Sequence, residues 1–173
     1  EAERTLLLIS GTHGQEGYTG SAIQVAFLDE AIIPEGVNIV VLHALNPWGF
    51  SHLSRTDENN VDVNRNFRDF SEPLPENSIY ELIHPALCPD QWNENSSDWR
   101  LERDRIVAEN GWATFLSGFT GGQFQIKDGL SYGGIEPSWT NTTVTELLPL
   151  ALKNSRKIAF IEWHTGLGDY GEL

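Results

Sequence analysis

The sequence predicts an α/β fold with a parallel sheet, and three observations lead to this fold class. Short runs of apolar and β-branched residues at 5–9, 37–44 and 157–163 are typical of buried strands. A helical pattern at 21–32 lies between the first two runs and ends before Pro34. Strand, helix and strand in this order form a βαβ unit, whose two strands run parallel.

The rest of the chain predicts helices joined by polar loops. Residues 61–67 alternate in polarity, which places Asp62, Asn64 and Asn66 on one face if this segment is extended. Thr143 and Glu146 have the spacing of a capping box, which predicts a helix from there to residue 153. Further predictions are a turn at 46–49, a polar loop at 51–60, an irregular excursion at 71–97, a helix at 98–115 and a glycine-rich loop at 118–134. No repeat or low-complexity tract interrupts the sequence, so we predict one domain over residues 1–173.

Composition limits the partners that the protein can have. Among 173 residues, 25 acidic and 11 basic side chains give a net charge of −14. Nucleic-acid binding requires clustered Lys and Arg, and no apolar run approaches a membrane span, so we expect neither nucleic acid nor membrane as partner. The single cysteine, Cys88, excludes an internal disulfide and favours a reducing compartment, the cytoplasm. The chain lacks Met and enters a strand almost at once, so we expect a piece of a longer protein.

Two candidate metal ligands follow the first strand. His13 and Glu16 form an H-x-x-E pair in a turn that contains Gly11 and Gly14. Residues three apart in a turn project to the same side, and imidazole and carboxylate are both zinc ligands. The pair alone leaves two alternatives open, a glycine-rich turn with solvated side chains and a phosphate cradle. The glycine spacing matches neither standard phosphate-binding loop.

A third candidate ligand, His164, follows the last predicted strand. Ligands of open parallel α/β sheets collect at the carboxyl ends of the strands, so His164 is expected to meet His13 and Glu16 there. Two His and one Glu leave an open position on a tetrahedral zinc ion, which is typical of a catalytic site. Asp62 and Glu162 are candidates to accept the outer N–H of a zinc-binding histidine. His43 is predicted to be a core histidine.

Arg55 and Arg65 are two of few cations in an acidic chain. An arginine binds a carboxylate with two parallel hydrogen bonds, so this pair indicates a substrate with an anionic end. The alternative is that both arginines pair with neighbouring acidic residues.

The motifs together resemble a known superfamily. H-G-x-E after a strand, N-P-x-G, V-D-x-N-R-N-F and a late strand-borne His are similar to the carboxypeptidase A-type zinc hydrolases. More closely, H-G-x-E-G-x-x-G-S-A-I-Q, D-V-N-R-N-F, G-L-x-Y-G-G and H-T-G-L-G resemble an uncharacterised branch related to zinc carboxypeptidases and to the aspartoacylase and succinylglutamate desuccinylase group. The resemblance implies a three-layer sandwich around a mostly parallel mixed sheet, truncated at its C-terminus.

The resemblance also implies roles for individual residues. His13, Glu16 and His164 match the ligands of one zinc ion. Asn64 and Arg65 match the pair that holds the terminal carboxylate of the substrate. Arg55 is similar in placement to the arginine that polarises the scissile carbonyl, and Asp62 matches the carboxylate behind the first zinc histidine.

The expected activity is zinc-assisted hydrolysis of an amide bond next to a free carboxylate. A small peptide and an N-acyl amino acid both fit as substrate, so carboxypeptidase and deacylase activities stay open. The superfamily uses a general-base Glu well beyond the last zinc His, and Glu172 is too close to His164 for that role. We therefore expect the base to lie outside this chain. The alternative is a non-catalytic α/β module that binds carboxylates and has kept the metal site but not the base.

Overall fold

A computed structural model describes residues 3–30, 32–89 and 98–165. The strands are β1 (Arg4–Ile9), β2 (Val37–Leu42) and β3 (Lys157–Glu162). The helices are α1 (Gly17–Asp29), α2 (Pro47–His52), α3 (Val63–Asn66), α4 (Ser78–Leu87), α5 (Asp98–Asn110), α6 (Trp112–Thr120) and α7 (Trp139–Ala151). None of the helices in this part of the chain is long and apolar enough to cross a membrane.

The three described strands form a parallel sheet in the order β2-β1-β3. The register aligns their carboxyl ends, because Ile9 at the end of β1 lies opposite both Leu42 of β2 and Glu162 of β3. The central strand is the most buried, with Leu7 and Leu8 almost inaccessible. The α/β class and the parallel strands are therefore confirmed, whereas the three layers and the antiparallel part of a mixed sheet stay predictions.

The chain divides into two compact units. Unit 1 consists of Glu1–Asn59 and Trp139–Leu173, and unit 2 consists of Asn60–Ser138. Unit 1 contains the sheet with α1, α2 and α7, and unit 2 contains α3 to α6. The prediction of one domain over residues 1–173 is not tested by this division.

Unit 2 has an apolar core between α4, α5 and α6. Its buried members are Tyr80, Ile83, Ala86, Ile106 and Phe115, and we call them the helical core. The predicted irregular excursion at 71–97 was wrong for residues 78–87, which form α4, while residues 90–97 lie outside the described part of the chain. The side chain of Asn77 starts this helix by accepting a hydrogen bond from the N–H of Tyr80, at 2.9 Å.

Two predicted helices have different bounds in the structure. The helix predicted at 98–115 is broken at Gly111, whose φ of 84° lies in the left-handed region and separates α5 from α6. The predicted capping box at Thr143 was wrong, since α7 already begins at Trp139 and Thr143 lies inside it.

Two polar segments that were predicted to lack helix also begin short helices. Asn46 caps α2 by accepting a hydrogen bond from the N–H of Gly49, so the segment at 46–49 leads into a helix. Asp62 caps the single turn of α3 in the same way, through the N–H of Asn64. The condition for a shared polar face at 61–67, an extended backbone, is therefore not met, because a local side-chain cap closes a turn there.

Candidate metal centre

The candidate site begins where β1 ends, in a loop that packs tightly against the start of α2. Gly11 adopts a φ of 72°, and a Cβ at Gly14 would lie 1.9 Å from the carbonyl carbon of Gly49. Only glycine fits at Gly14, because backbone occupies the space of a side chain. This close packing holds the loop that carries the first two candidate ligands.

Buried hydrogen bonds also fix the start of the loop that follows β1, where it leaves the sheet. Ser10 donates from its hydroxyl to the side-chain oxygen of Gln24 at 2.8 Å. The side-chain nitrogen of Gln24 donates to the carbonyl oxygens of Leu8 and Leu42, at 3.2 and 3.3 Å. Gln24 thus joins α1 to the ends of two strands, and the loop after β1 starts from a fixed point.

His13 and Glu16 converge as their spacing predicted. His13 Nδ1 lies 2.7 Å from Glu16 Oε1, and the side chains of the two residues are 3% and 10% exposed. The N–H of Gly17 bonds to the carbonyl oxygen of His13, so the turn continues directly into α1. For this reason α1 begins at Gly17, four residues before the predicted start at 21. The solvated-turn alternative does not fit this pair, because His13 is buried.

His164 completes the cluster from the end of β3. Its Nδ1 lies 3.9 Å from Glu16 Oε2, and its ring meets the ring of His13 edge to face at 5.2 Å between centroids. One ligand atom from each of the three residues lies within 4.8 Å of the other two. His13, Glu16 and His164 therefore form a group that could hold a metal ion.

The donor set and its geometry fit a zinc-sized ion. Ligand atoms about 2.0–2.1 Å from a tetrahedral ion lie about 3.4 Å from one another. One Glu16 oxygen lies 2.7 Å from His13 Nδ1 and the other lies 3.9 Å from His164 Nδ1, and the ligand atoms of the group lie within 4.8 Å of one another, so a zinc ion would draw them closer. Imidazole and carboxylate also bind other transition metals, so the donor set does not identify the metal. The side chain of His164 is 31% exposed, which leaves the cluster accessible to a small molecule from this side.

Glu162 and Thr12 fix the orientation of His164. His164 Nε2 donates to Glu162 Oε1 at 2.8 Å, which directs the other ring nitrogen, Nδ1, toward Glu16. Thr12 donates from its hydroxyl to the same oxygen of Glu162 at 2.5 Å. A carboxylate behind a histidine in this way sets its tautomer and increases the basicity of the other nitrogen. Of the two sequence candidates for this role, Glu162 fills it for His164.

The cluster shifts the pKa values of its own members. The hydrogen bond to Glu162 raises the pKa of His164 although burial opposes it, and the same bond from His164 lowers the pKa of Glu162. Burial alone would raise the pKa of Glu16, but hydrogen bonds from the Thr165 backbone and from His13, with the charge of both histidines, lower it. Both glutamates are therefore carboxylates at neutral pH, which is the form that binds a metal or a histidine N–H.

Arg55 lies beside the cluster. Its guanidinium Nη1 is 3.3 Å from Glu16 Oε1, and its side chain is 39% exposed. Arg55 thus contacts a candidate metal ligand, Glu16, which is distant from it in sequence. An exposed cation at this position can stabilise negative charge that develops close to the three ligands.

Asp62, Asn64 and Arg65 belong to unit 2, where the structure shows their local contacts. Asp62 caps α3, and Arg65 Nη2 donates to the carbonyl oxygen of Thr120 at 2.8 Å. Among the described residues the buried Nε–H of Arg65 has no hydrogen-bond partner, so this guanidinium keeps unused donor capacity. The predicted roles of Asp62 behind a histidine and of Asn64 and Arg65 on a carboxylate stay predictions.

Three residues of the site were missed by sequence reasoning. Thr12 orients Glu162, Gln24 holds the loop, and Thr165 donates to Glu16 Oε2 from its backbone N–H at 2.6 Å and its hydroxyl at 3.2 Å. Thr12 and Thr165 each adjoin a candidate histidine, which is a signal that could have been used. Gln24 carried no such signal.

Two further sequence expectations concern residues near the site. The prediction that His43 is a core histidine was wrong, because its side chain is exposed and bonds to the hydroxyl of Ser21 at 2.8 Å. β2 ends at Leu42, so His43 has already left the sheet. Residues 166–168 of the H-T-G-L-G motif and Glu172 lie outside the described part of the chain.

The whole chain, residues 1–173, matches the family described as "Protein of unknown function (DUF2817)". The protein therefore belongs to this family. No curated protein and no solved structure matches the chain.

Proposed function

We propose that the protein is a metal-dependent hydrolase that cleaves an amide bond next to a free carboxylate, with one zinc ion held by His13, Glu16 and His164. One observation carries this proposal: ligand atoms from the ends of two neighbouring parallel strands lie within 4.8 Å of one another, with an arginine beside them. The resemblance of the motifs to carboxypeptidase A-type zinc hydrolases supports it.

Each residue of the cluster has a defined part in the proposed site. When bound, zinc supplies Lewis-acid chemistry, which polarises a carbonyl group and lowers the pKa of water. Glu162 holds the ring of His164 so that Nδ1 stays available as a ligand. Arg55 stabilises negative charge on the carbonyl oxygen of the substrate, because its guanidinium already lies at the ligand cluster.

The substrate class follows from the proposed arginine and asparagine contacts. Asn64 and Arg65 bind the free carboxylate of a small peptide or an N-acyl amino acid, as the resemblance implies. A planar guanidinium matches a carboxylate with two parallel hydrogen bonds.

One observation favours a second candidate, a carboxylate-binding module without turnover. Glu16 and its neighbour Glu162 already accept hydrogen bonds from protein groups. Glu16 accepts from Thr165, and Glu162 accepts from Thr12 and His164. These hydrogen bonds help to lower the pKa of both carboxylates, which makes each a weaker base toward water. In this reading the metal helps to bind a carboxylate ligand and no bond is cleaved.

Metal content tests the part that both candidates share. We expect about one zinc ion per chain after reconstitution of the 173-residue protein, and a large loss in His164→Ala. His43→Ala is the matched control, because His43 is an exposed histidine outside the ligand group. Absence of bound metal from the reconstituted protein, or equal metal in the His164 and His43 variants, would contradict the proposal.

Turnover separates the hydrolase from the binding module, and it is measured on a protein that extends far enough to include the expected general-base Glu. N-acyl amino acids and short peptides are compared with the same compounds carrying a C-terminal amide, which removes the free carboxylate. Hydrolysis of the acids alone, with kcat reduced about 10²-fold in Arg55→Gln at unchanged metal content, supports the hydrolase. Binding of the acids to the zinc-loaded protein without any cleavage supports the module instead.

A further inference from the structure

A cavity of unit 1, separate from the candidate metal centre, has features of a binding site for an organic cation. It has a volume of about 380 Å³ and lies where α2 and α7 begin. Its lining residues are Asn46, Pro47, Trp48, Asp57, Glu58, Trp139 and Thr140. Two tryptophans and two carboxylates line this cavity, and none of the described residues that line it is Lys or Arg.

The two tryptophans are placed to contact a ligand rather than to fill a core. The side chain of Trp139 is 61% exposed, and that of Trp48 is 36% exposed. His52 stacks on one face of Trp48, with 4.3 Å between ring centroids. His52 is not among the residues that line the cavity, whereas Trp48 is. Indole rings attract cations through the negative charge of their faces, and tryptophan does so most strongly.

The carboxylates give the cavity its charge. Asp57 is buried and Glu58 is exposed, so one lies within the wall and the other at the rim. The N-termini of α2 and α7 would favour negative charge at this place. Asp57 and Glu58 supply this negative charge, and their carboxylates attract a cation.

A buried amide donor indicates a second group on the ligand. Asn46 is 1% exposed, and its side-chain oxygen is used by the N–H of Gly49. Because Oδ1 of Asn46 accepts this hydrogen bond, the other terminal atom of the amide is the donor Nδ2. Within the described residues Nδ2 has no hydrogen-bond partner. A buried N–H without a partner is unfavourable, and a ligand oxygen would satisfy it.

We propose that this cavity binds an alkylated ammonium that carries a neighbouring oxygen acceptor. The ammonium lies against Trp48 and Trp139 beside the two carboxylates, and the oxygen accepts a hydrogen bond from Asn46 Nδ2. A cavity of this size accommodates a group as large as choline with space remaining. The site contains none of the candidate metal ligands or Arg55, so it is independent of the proposed hydrolase activity.

Five small compounds, including ethanolamine and inorganic phosphate, test this assignment by calorimetric titration in the presence of a chelator. Choline has both the charge and the hydroxyl, 3,3-dimethylbutan-1-ol has the same shape without charge, and tetramethylammonium has the charge without the oxygen. We expect choline to bind at least tenfold more tightly than the uncharged alcohol and severalfold more tightly than tetramethylammonium. Equal affinity for choline and the alcohol would overturn the proposal, and so would preference for ethanolamine or for inorganic phosphate.

Two variants show whether binding occurs in this cavity. Trp139→Leu should weaken choline binding at least tenfold, and its high exposure makes a folding defect small. Trp112→Leu is the matched control, because Trp112 is 57% exposed and lies in unit 2. Equal effects of the two substitutions would place the binding elsewhere and overturn the assignment. The chelator keeps this result separate from the metal test, so either proposal can fail alone.

Discussion

The strand ends of unit 1 and the helical core of unit 2 are both buried, but different forces hold them. The buried residues around the loop after β1 are polar, namely Ser10, Thr12, His13 and Gln24, and we call them the strand-end network. The helical core contains apolar side chains and one phenol. Hydrogen bonds are directional, so the network fixes atom positions, whereas apolar packing stabilises in proportion to the area removed from water. The strand-end network can therefore hold the candidate metal ligands at defined positions. The helical core instead supplies much of the stability of unit 2.

The largest effect is expected from a cavity in the helical core. Ile83→Ala should reduce the free energy of unfolding by about 3–4 kcal/mol, because Ile83 is fully buried against its neighbours. Urea denaturation measures this loss, and metal content per folded chain should not change. Leu82→Ala is the control, since Leu82 is 42% exposed on the same helix. Similar losses in the two variants would show that this core does not carry the stability of unit 2.

A smaller loss of stability with a larger loss of metal affinity is expected in the strand-end network. Gln24→Leu should cost about 2 kcal/mol, because the hydroxyl of Ser10 and two strand-end carbonyl oxygens lose a buried partner. Zinc affinity should fall about tenfold, as the loop that carries His13 loses its support. Competition with a chromophoric chelator measures the zinc affinity. Val25→Ala is the control, because Val25 is the exposed neighbour of Gln24. Unchanged zinc affinity in Gln24→Leu would mean that the network does not position the ligands.

The smallest effect concerns the one phenol of the helical core. Burial raises the pKa of Tyr80 far above 10, and Cys88 raises it further. The unfolded chain then loses this proton at lower pH than the folded protein. The stabilisation is complete below about pH 10 and falls by about 1.4 kcal/mol for each pH unit above it, until the pH passes the raised pKa.

Unfolding experiments from pH 9 to 11 compare the protein with Tyr80→Phe. The variant should lose stability less steeply above pH 10, although it is less stable at pH 9, because the phenol oxygen accepts a hydrogen bond from the N–H of Leu130 at 2.5 Å. Tyr18→Phe serves as control, since Tyr18 is exposed. Equal slopes for Tyr80→Phe and the original protein would contradict a raised pKa at Tyr80.

The sequence predicted those parts of the fold and site that depend on local pattern. The apolar runs gave the three strands, and the H-x-x-E spacing gave the meeting of His13 with Glu16. The expectation that strand ends meet at one edge brought in His164, which is distant in sequence. These inferences rest on the periodicity of the sequence and on the geometry of parallel sheets. Both are independent of the tertiary contacts that the rest of the chain makes.

The errors come from contacts that a local pattern does not contain. Alternation at 61–67 indicated a strand, but the cap from Asp62 closes a helical turn instead. Thr143 has capping-box spacing, yet α7 begins four residues earlier, at Trp139. The cavity near Trp48 and Trp139 joins residues almost a hundred positions apart, and no motif marks it. Side-chain hydrogen bonds and cavities depend on tertiary packing, so sequence alone does not predict them.

The pairing of β1 with β3 has a consequence for the order in which the chain becomes structured during synthesis. Hydrogen bonds between the two regions, such as Thr5 to Ser155 and Thr12 to Glu162, span 150 residues. A ribosome adds about 5–20 residues per second, so β1 waits roughly 8–30 s for its partner. During that interval one edge of the central strand is open, and only two of the three metal ligands exist. Because His164 follows β3, a metal ion can be held by all three ligands only after β3 has emerged.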